Sequence, residues 1–277
     1  MDNPIRADRG TPRNIVVFGQ TGVGKSSLIN MLAGSAVAKA GNGAGGCTTS
    51  NRSYDISHKN ANGHSDSYTF WDTAGLNEGQ EGNVPKDALP NLLKIVTEHG
   101  VDLAIYCIRG RLGDITRINY DLFWGIICKK GVPIVLVVTG LEAEQDMDKW
   151  WKTNQKMVRK MGMSFHGYAC VTTTKGKGDA YKKEYEESAQ KVWKLVREHC
   201  GPQSWHMPPE CSTEAQKRME EYMTLYNRGR KGWWKFIPES IRRLFVRDQN
   251  HPLGDKPSAV CTSASLNIKE LPRSTTS

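Results

Sequence analysis

A glycine-rich stretch near the start of the chain constrains its fold more than any other feature. Residues 19–26 read Gly-Gln-Thr-Gly-Val-Gly-Lys-Ser and fit the pattern G-x-x-x-x-G-K-S. The apolar run at 14–18 predicts a strand before this loop, and the apolar spacing of 26–32 predicts a helix after it. A strand, such a loop and a helix N-terminus in succession form a cradle for phosphate groups. The stretch therefore predicts an α/β nucleotide-binding fold.

Each residue type in this loop suits contact with a nucleoside triphosphate. The glycines let backbone N–H groups curl around the β-phosphate, while the helix N-terminus contributes a favourable dipole. Lys25 is expected to reach the β- and γ-phosphates, and the Ser26 hydroxyl is expected to ligate Mg²⁺. Ser27 is placed to contact the α-phosphate. The predicted nucleotide contacts here are Gly19, Gln20, Thr21, Gly22, Val23, Gly24, Lys25, Ser26 and Ser27.

Strand and helix patterns alternate from residue 14 to residue 199. The near-continuous apolar runs at 101–108 and 133–138 are typical of parallel strands that are covered on both faces. Besides the helix at 26–32, the predicted helices span 86–98, 115–128, 146–161 and 181–198. We therefore predict a doubly wound α/β domain over residues 14–200, preceded by a flexible leader at residues 1–13.

A second motif, Asp72-Thr73-Ala74-Gly75, ends another predicted strand. A carboxylate at this strand end can hold Mg²⁺ through water, and the Gly75 N–H can bind the γ-phosphate. Asp72 is therefore a predicted metal and nucleotide residue, and Gly75 joins Lys25 among the predicted catalytic groups. A strand-end Asp that merely caps a turn is the plainer interpretation.

The two motifs together resemble the TRAFAC class of GTPases, and within it the septin/Toc/immune-associated (AIG-type) branch. The chain looks similar to small fungal G-domain proteins described as "50S ribosome-binding GTPase"-like. The resemblance covers roughly 14–200 and also rests on Cys47-Thr48, on Leu76, on residues 137–142 and on Trp150-Trp151. It implies a Ras-like fold, three-layer α/β/α with a six-stranded, mostly parallel sheet, and it implies GTP or GDP with Mg²⁺ as ligands.

Such GTPases also carry a threonine that completes the Mg²⁺ shell only when the triphosphate is bound. Thr48 and Thr49 are the candidates, and both end a stretch at 40–49 that holds four glycines. Thr48 is preferred as the metal ligand and catalytic residue because it follows Cys47, as the family pattern suggests. Both could instead be ordinary loop threonines.

The base-recognition motif departs from the usual Asn/Thr-Lys-x-Asp. The aligned residues are Thr139-Gly140-Leu141-Glu142, so Glu142 keeps the carboxylate while Gly140 removes the lysine stem that packs on the base. The backbone of Thr173, in a run of three threonines, would contact guanine O6. GTP is the expected ligand, but the altered motif also permits ATP, or a plain strand-to-helix loop.

Leu76 stands where Ras carries the Gln that orients the attacking water. A leucine side chain cannot hydrogen-bond to water, so slow intrinsic hydrolysis is expected, near or below ~10⁻⁴–10⁻³ s⁻¹. The missing group would come from a dimer partner or from a nearby residue; the candidates in this chain are Asn77, Glu78, Gln80 and Arg109. A non-catalytic nucleotide-binding scaffold is the alternative.

The net charge of +9 is concentrated in residues 228–247, which hold seven basic residues and one acidic residue. With two tryptophans, the segment 229–247 is expected either to dock on the domain or to bind an anionic membrane surface. Nucleic acid is the less favoured partner. The stretch 201–247 is interpreted as a basic aromatic, partly helical extension, and 248–277 as a disordered tail.

Seven scattered cysteines and no apolar leader predict a cytoplasmic location, peripheral to a membrane if the tail binds lipid.

Overall fold

The computed structural model describes residues 11–38, 52–59, 63–73, 88–201 and 203–228. The strands are β1 (Arg13–Gly19), β2 (Arg52–Lys59), β3 (Ser65–Asp72), β4 (Leu103–Ile108), β5 (Ile134–Val138) and β6 (Gly167–Cys170). The helices are α1 (Lys25–Ala33), α2 (Ala88–Lys94), α3 (Asp114–Tyr120), α4 (Lys149–Lys160), α5 (Lys182–His199) and α6 (Ser212–Arg228).

The six strands form one sheet in the order β2-β3-β1-β4-β5-β6. All neighbours run parallel except β2 and β3, which are antiparallel. The predicted six-stranded, mostly parallel sheet is therefore confirmed. Because β1 lies at the centre, its carboxyl end opens where successive connections diverge to the two sides, which is the usual ligand position in such sheets.

Side chains along the central strands alternate strictly between two helical layers, as the two-residue period of a strand requires. Ile15 and Val17 of β1 pack with α1 and α5, whereas Val16 and Phe18 pack with α2, α3, α4 and α6. All four side chains are fully buried. This burial on both faces explains the near-continuous apolar runs and confirms the three-layer α/β/α architecture.

Two of the predicted helices change their hydrogen-bonding pattern partway along. Helix α2 continues as a π-helical segment, Ile95–His99, and α3 continues as another, Asp121–Ile127. Their wider turns are visible in backbone bonds that span five residues, from Cys128 N to Phe123 O at 2.9 Å, for example. The apolar spacing of the sequence does not distinguish this pattern from an ordinary helix.

Helix α6 belongs to the packed core, although its composition suggested a separate extension. Ala215, Met219 and Tyr222 are buried against the layer that contains α3. The Tyr222 hydroxyl donates a hydrogen bond of 3.1 Å to the Asp121 carboxylate. The packed core therefore continues past the domain boundary predicted near residue 200.

The basic aromatic segment 229–247 and the tail 248–277 lie outside the described residues. Among the residues that are described, no helix combines the length and the apolar character needed to span a bilayer.

Candidate nucleotide-binding site

The glycine-rich loop joins the carboxyl end of β1 to the start of α1, in the centre of the sheet. Two of its glycines are required by geometry. Gly19 has φ +147°, and a Cβ at this position would lie 2.2 Å from the Cys107 carbonyl oxygen of the adjacent strand. Gly24 precedes α1 in the left-handed region, with φ +93°. The loop can pass this close to β4 only without a side chain at Gly19, and the left-handed turn at Gly24 is adopted at least cost by glycine.

The N-terminus of α1 presents its backbone donors to the loop. The first helical hydrogen bond runs from Leu28 N to Gly24 O at 2.8 Å, so the N–H groups of Lys25, Ser26 and Ser27 precede the helical ladder. The first turn contains no acidic side chain. This end of the helix therefore has the positive partial charge that favours an anion.

Lys25 is held within the loop although its side chain is charged and only 6% exposed. Its ammonium group donates to the carbonyl of Gly19 at 3.2 Å and to that of Gln20 at 2.9 Å. These bonds compensate for burial and hold the ammonium against the first two residues of the loop. The predicted phosphate-binding lysine is thus oriented by the same loop that it serves.

The side chains of Ser26 and Asp72 meet at the carboxyl end of the neighbouring strands β1 and β3, although 46 positions separate them in the sequence. The Ser26 hydroxyl donates a 2.5 Å hydrogen bond to one carboxylate oxygen of Asp72, which is 1% exposed. Thr73 fixes this strand end, because its hydroxyl donates to the Val17 carbonyl of β1 at 3.0 Å. The structure therefore brings together two of the three predicted metal residues, which come from separate motifs.

This pair fits Mg²⁺, which prefers hard oxygen ligands and usually takes only one or two protein groups besides phosphate and water. A hydroxyl and a carboxylate in contact at the mouth of a phosphate loop supply that number. The described residues contain no cluster of three or more His, Cys, Asp or Glu that would form a metal cage made of protein side chains alone.

Thr139 ties the loop to the sheet. Its hydroxyl lies 2.5 Å from the Val23 carbonyl and 3.2 Å from the Ile108 carbonyl, and the side chain is 2% exposed. The sequence suggested a nucleotide contact for this residue. In the structure its side chain contacts protein backbone at the base of the loop, so it supports the site from beneath.

Glu142 lies beside the three-threonine loop that follows β6. The Thr172 hydroxyl is 3.4 Å from a carboxylate oxygen of Glu142 and also bonds to the Thr174 carbonyl at 3.1 Å. Thr173 reaches toward the phosphate loop, since a Cβ on Gly24 would lie 3.4 Å from its hydroxyl. The structure thus groups the candidate base-recognition residues next to the phosphate cradle.

Sequence reasoning missed one residue that supports this region. Ser188 of α5 accepts a hydrogen bond from the backbone N–H of Thr172 at 3.1 Å, and both side chains are fully buried. A serine among apolar residues on the inner face of α5 was the available signal. Of the remaining site predictions, Thr48, Gly75 and Leu76 lie outside the described residues.

Comparison with known proteins gives the same class. Residues 14–140 match the family described as "50S ribosome-binding GTPase". A search of curated protein sequences gave no match. The family match over residues 14–140, together with the fold, supports a TRAFAC-type P-loop GTPase domain in this chain. The family match supports GTP binding and hydrolysis by this domain.

Solved structures share the fold at low sequence identity. A dimerization-deficient mutant of Toc33 from Arabidopsis thaliana is 17% identical, with a TM-score of 0.52, over 71% of this chain and 88% of that chain. Era in complex with MgGDPNP and nucleotides 1506–1542 of 16S ribosomal RNA is also 17% identical, with a TM-score of 0.51, over 72% of this chain and 59% of the Era chain. These likenesses establish the fold, while the septin/Toc/AIG-type branch stays a prediction.

Proposed function

We propose that this chain binds GTP with Mg²⁺, hydrolyses it slowly and acts as a nucleotide-dependent switch. The observation that carries the proposal is the 2.5 Å contact between Ser26 and Asp72, at the mouth of a loop that also holds a buried lysine. Two motifs that are independent in the sequence converge here on one phosphate and metal chemistry. Such convergence is not needed for folding alone.

The residues of the loop have distinct parts in this function. The N–H groups at the start of α1 and the ammonium of Lys25 bind the phosphates and balance their charge. Ser26 and Asp72 hold the metal, directly or through water. Mg²⁺ bound there would neutralise charge that develops on the β- and γ-phosphate oxygens. Thr48 and Gly75 are proposed to complete the site around the γ-phosphate.

Base selection is proposed to rest on Glu142. Its carboxylate accepts hydrogen bonds, and guanine presents adjacent donors at N1 and the 2-amino group, whereas adenine offers no such pair. The bond from Thr172 to Glu142 places this acceptor beside the loop that carries Thr173. The proposal therefore favours GTP over ATP, and it assigns the Thr173 backbone to guanine O6.

Slow turnover follows from Leu76, which cannot orient water. We therefore propose that a second copy of the chain, or another partner, supplies the missing group through the G domain. Loss of the γ-phosphate would release the segments near 40–50 and 73–84, as in other GTPase switches. An anionic membrane surface is proposed as a further partner of 229–247, in the cytoplasm.

Two variants test the nucleotide site. Lys25→Ala and Ser26→Ala should each weaken Mg²⁺-dependent GTP binding by about 100-fold or more, because each removes a contact with a desolvated phosphate or metal. Lys183→Ala is the matched control, since the Lys183 side chain is 84% exposed on α5. Binding that survives both site substitutions would refute the site assignment.

Turnover is tested by single-turnover phosphate release at increasing protein concentration. A rate that rises with concentration supports activation by dimerisation. A slow rate that does not change with concentration would remove the homodimer from the proposal. Absence of phosphate release at every concentration would leave a nucleotide-binding scaffold as the function.

A further inference from the structure

We propose that Arg109 forms the surface on which the nucleotide base packs, in place of the lysine that Gly140 removes from the usual motif. The inference rests on the proposed function, because it concerns how the same site holds its base. It assigns a specificity-determining role to a residue at the end of a different strand from the motif itself.

The side chain of Arg109 occupies the space into which a side chain at position 140 would project. A Cβ on Gly140 would lie 2.8 Å from Arg109 Nε, 3.0 Å from its Cγ and 3.4 Å from its Cδ. Gly140 also has φ +75°, which a residue with a side chain adopts only at a cost. The glycine and the arginine are therefore complementary. The side chain of Arg109 can lie there only because residue 140 has no side chain.

The backbone at Arg109 is fixed from both sides. Ile108, just before it, accepts a hydrogen bond of 2.8 Å from Thr139 N. Gly110, just after it, accepts a 2.8 Å bond from the indole N–H of Trp150 on α4. Arg111 N bonds back to the Arg109 carbonyl at 2.7 Å. The turn after β4 therefore holds Arg109 against the β5–α4 connection.

The side chain itself is exposed, and it forms no ion pair with an acidic residue of the described ranges. An ion pair with an acidic residue of those ranges therefore does not account for the position of the Arg109 side chain. What the structure does show is that its side chain lies in the space that a Cβ on Gly140 would enter. This is the position from which a lysine stem would otherwise extend over a base.

The chemistry of this side chain suits the face of a purine. The methylene stem of an arginine packs along apolar and aromatic surface while its charged head stays in water, which agrees with the exposure of Arg109. Glu142 follows Gly140 by two positions and offers its carboxylate to the edge of the base. One short connection would therefore present a packing surface through Arg109 and a hydrogen-bond acceptor through Glu142, and these together favour a guanine nucleotide.

The test separates the stem of Arg109 from its charge. Dissociation constants for GDP with Mg²⁺ are measured by calorimetry for the full chain and for Arg109→Ala, Arg109→Met and Arg111→Ala. Arg109→Ala should bind GDP about tenfold more weakly, the scale of a lost base-packing contact. Arg109→Met keeps an unbranched stem without charge, and its affinity should stay within about threefold of the unmodified chain. Arg111→Ala removes an equally charged, exposed neighbour and should not alter the affinity.

Three results would overturn the inference. Equal losses in Arg109→Ala and Arg109→Met would mean that the charge acts on a phosphate. Unchanged GDP affinity in Arg109→Ala, with slower single-turnover hydrolysis, would place Arg109 in hydrolysis. Unchanged affinity and unchanged rate would leave it without a role in the site. If the unmodified chain binds neither GDP nor GTP, the proposed function fails as well, so the two failures are distinguishable.

Discussion

The docking of helix α6 makes a specific prediction about how stability depends on pH. Asp121 lies at the start of the π-helical segment after α3, where it is 1% exposed and accepts a hydrogen bond from Tyr222 of α6. Arg117 forms an ion pair with it at 2.5 Å. Burial nevertheless raises the pKa of the Asp121 carboxyl from 3.8 to about 6, because the loss of solvation outweighs the attraction of Arg117 and the Tyr222 bond.

The sign of the effect follows from the raised pKa. Between pH 4 and pH 6 the folded protein holds a proton on Asp121 that the unfolded chain has lost, so the stabilising contribution of this group is present at low pH. It is lost as the pH rises through about 6. With pKa values of 3.8 and about 6, the free energy of unfolding should fall by about 2 kcal/mol between pH 4.5 and pH 7.5 through this group alone.

Asp121→Asn isolates this contribution from all other titrating groups. The amide keeps an acceptor for Tyr222 and does not titrate, and the attraction between Arg117 and the ionised carboxylate is already contained in the raised pKa of Asp121. Urea unfolding of both proteins at pH 4.5 and pH 7.5 should show the variant gaining about 2 kcal/mol relative to the unmodified chain at the higher pH. A difference that does not change with pH would refute the reasoning. If the free energy of unfolding of the variant instead falls relative to that of the unmodified chain as the pH rises, the ion pair with Arg117 outweighs the cost of burying the charged carboxylate.

Three further substitutions test how the site is supported and how helix α6 is held. Gly19→Ala should lower the free energy of unfolding by roughly 2–6 kcal/mol, because its Cβ would meet a backbone carbonyl at 2.2 Å in a strained conformation; urea denaturation measures this loss. Thr139→Val should cost about 1–3 kcal/mol and also weaken GTP binding, since the Val23 carbonyl loses its donor; unchanged binding in calorimetry would contradict the supporting role. Tyr222→Phe should cost about 1–2 kcal/mol at pH 7.5, seen by thermal unfolding, whereas an unaltered midpoint would show that the hydroxyl contributes nothing to α6 docking.

The phosphate half of the site could be predicted from the sequence because its chemistry is local. Glycines at 19 and 24 report the backbone geometry directly, and Lys25 and Ser26 follow at positions that this geometry fixes. Asp72 ends a strand beside β1, so its approach to Ser26 follows from the order of the sheet. Short motifs placed on regular elements carry most of this information.

The remaining features depend on contacts between distant parts of the chain. Tyr222 and Asp121 are 101 positions apart, and the polar composition after residue 200 gives no sign of the buried face of α6. The orientation of Arg109 toward Gly140 depends on where two strand ends meet. Likewise, the hydroxyl of Thr139 points to the loop backbone, which its place in the motif did not indicate.

The central claim is that the loop at residues 19–26 and Glu142 together hold a guanine nucleotide. Competition between GTP and ATP for the bound site, with Mg²⁺ and again after its chelation, tests this claim most directly. GTP should displace a labelled guanine nucleotide at least ~100-fold more effectively than ATP, because adenine presents no pair of hydrogen-bond donors to the Glu142 carboxylate. Chelation of Mg²⁺ should weaken the binding of both nucleotides. Equal displacement by the two nucleotides, or preference for ATP, would contradict the account.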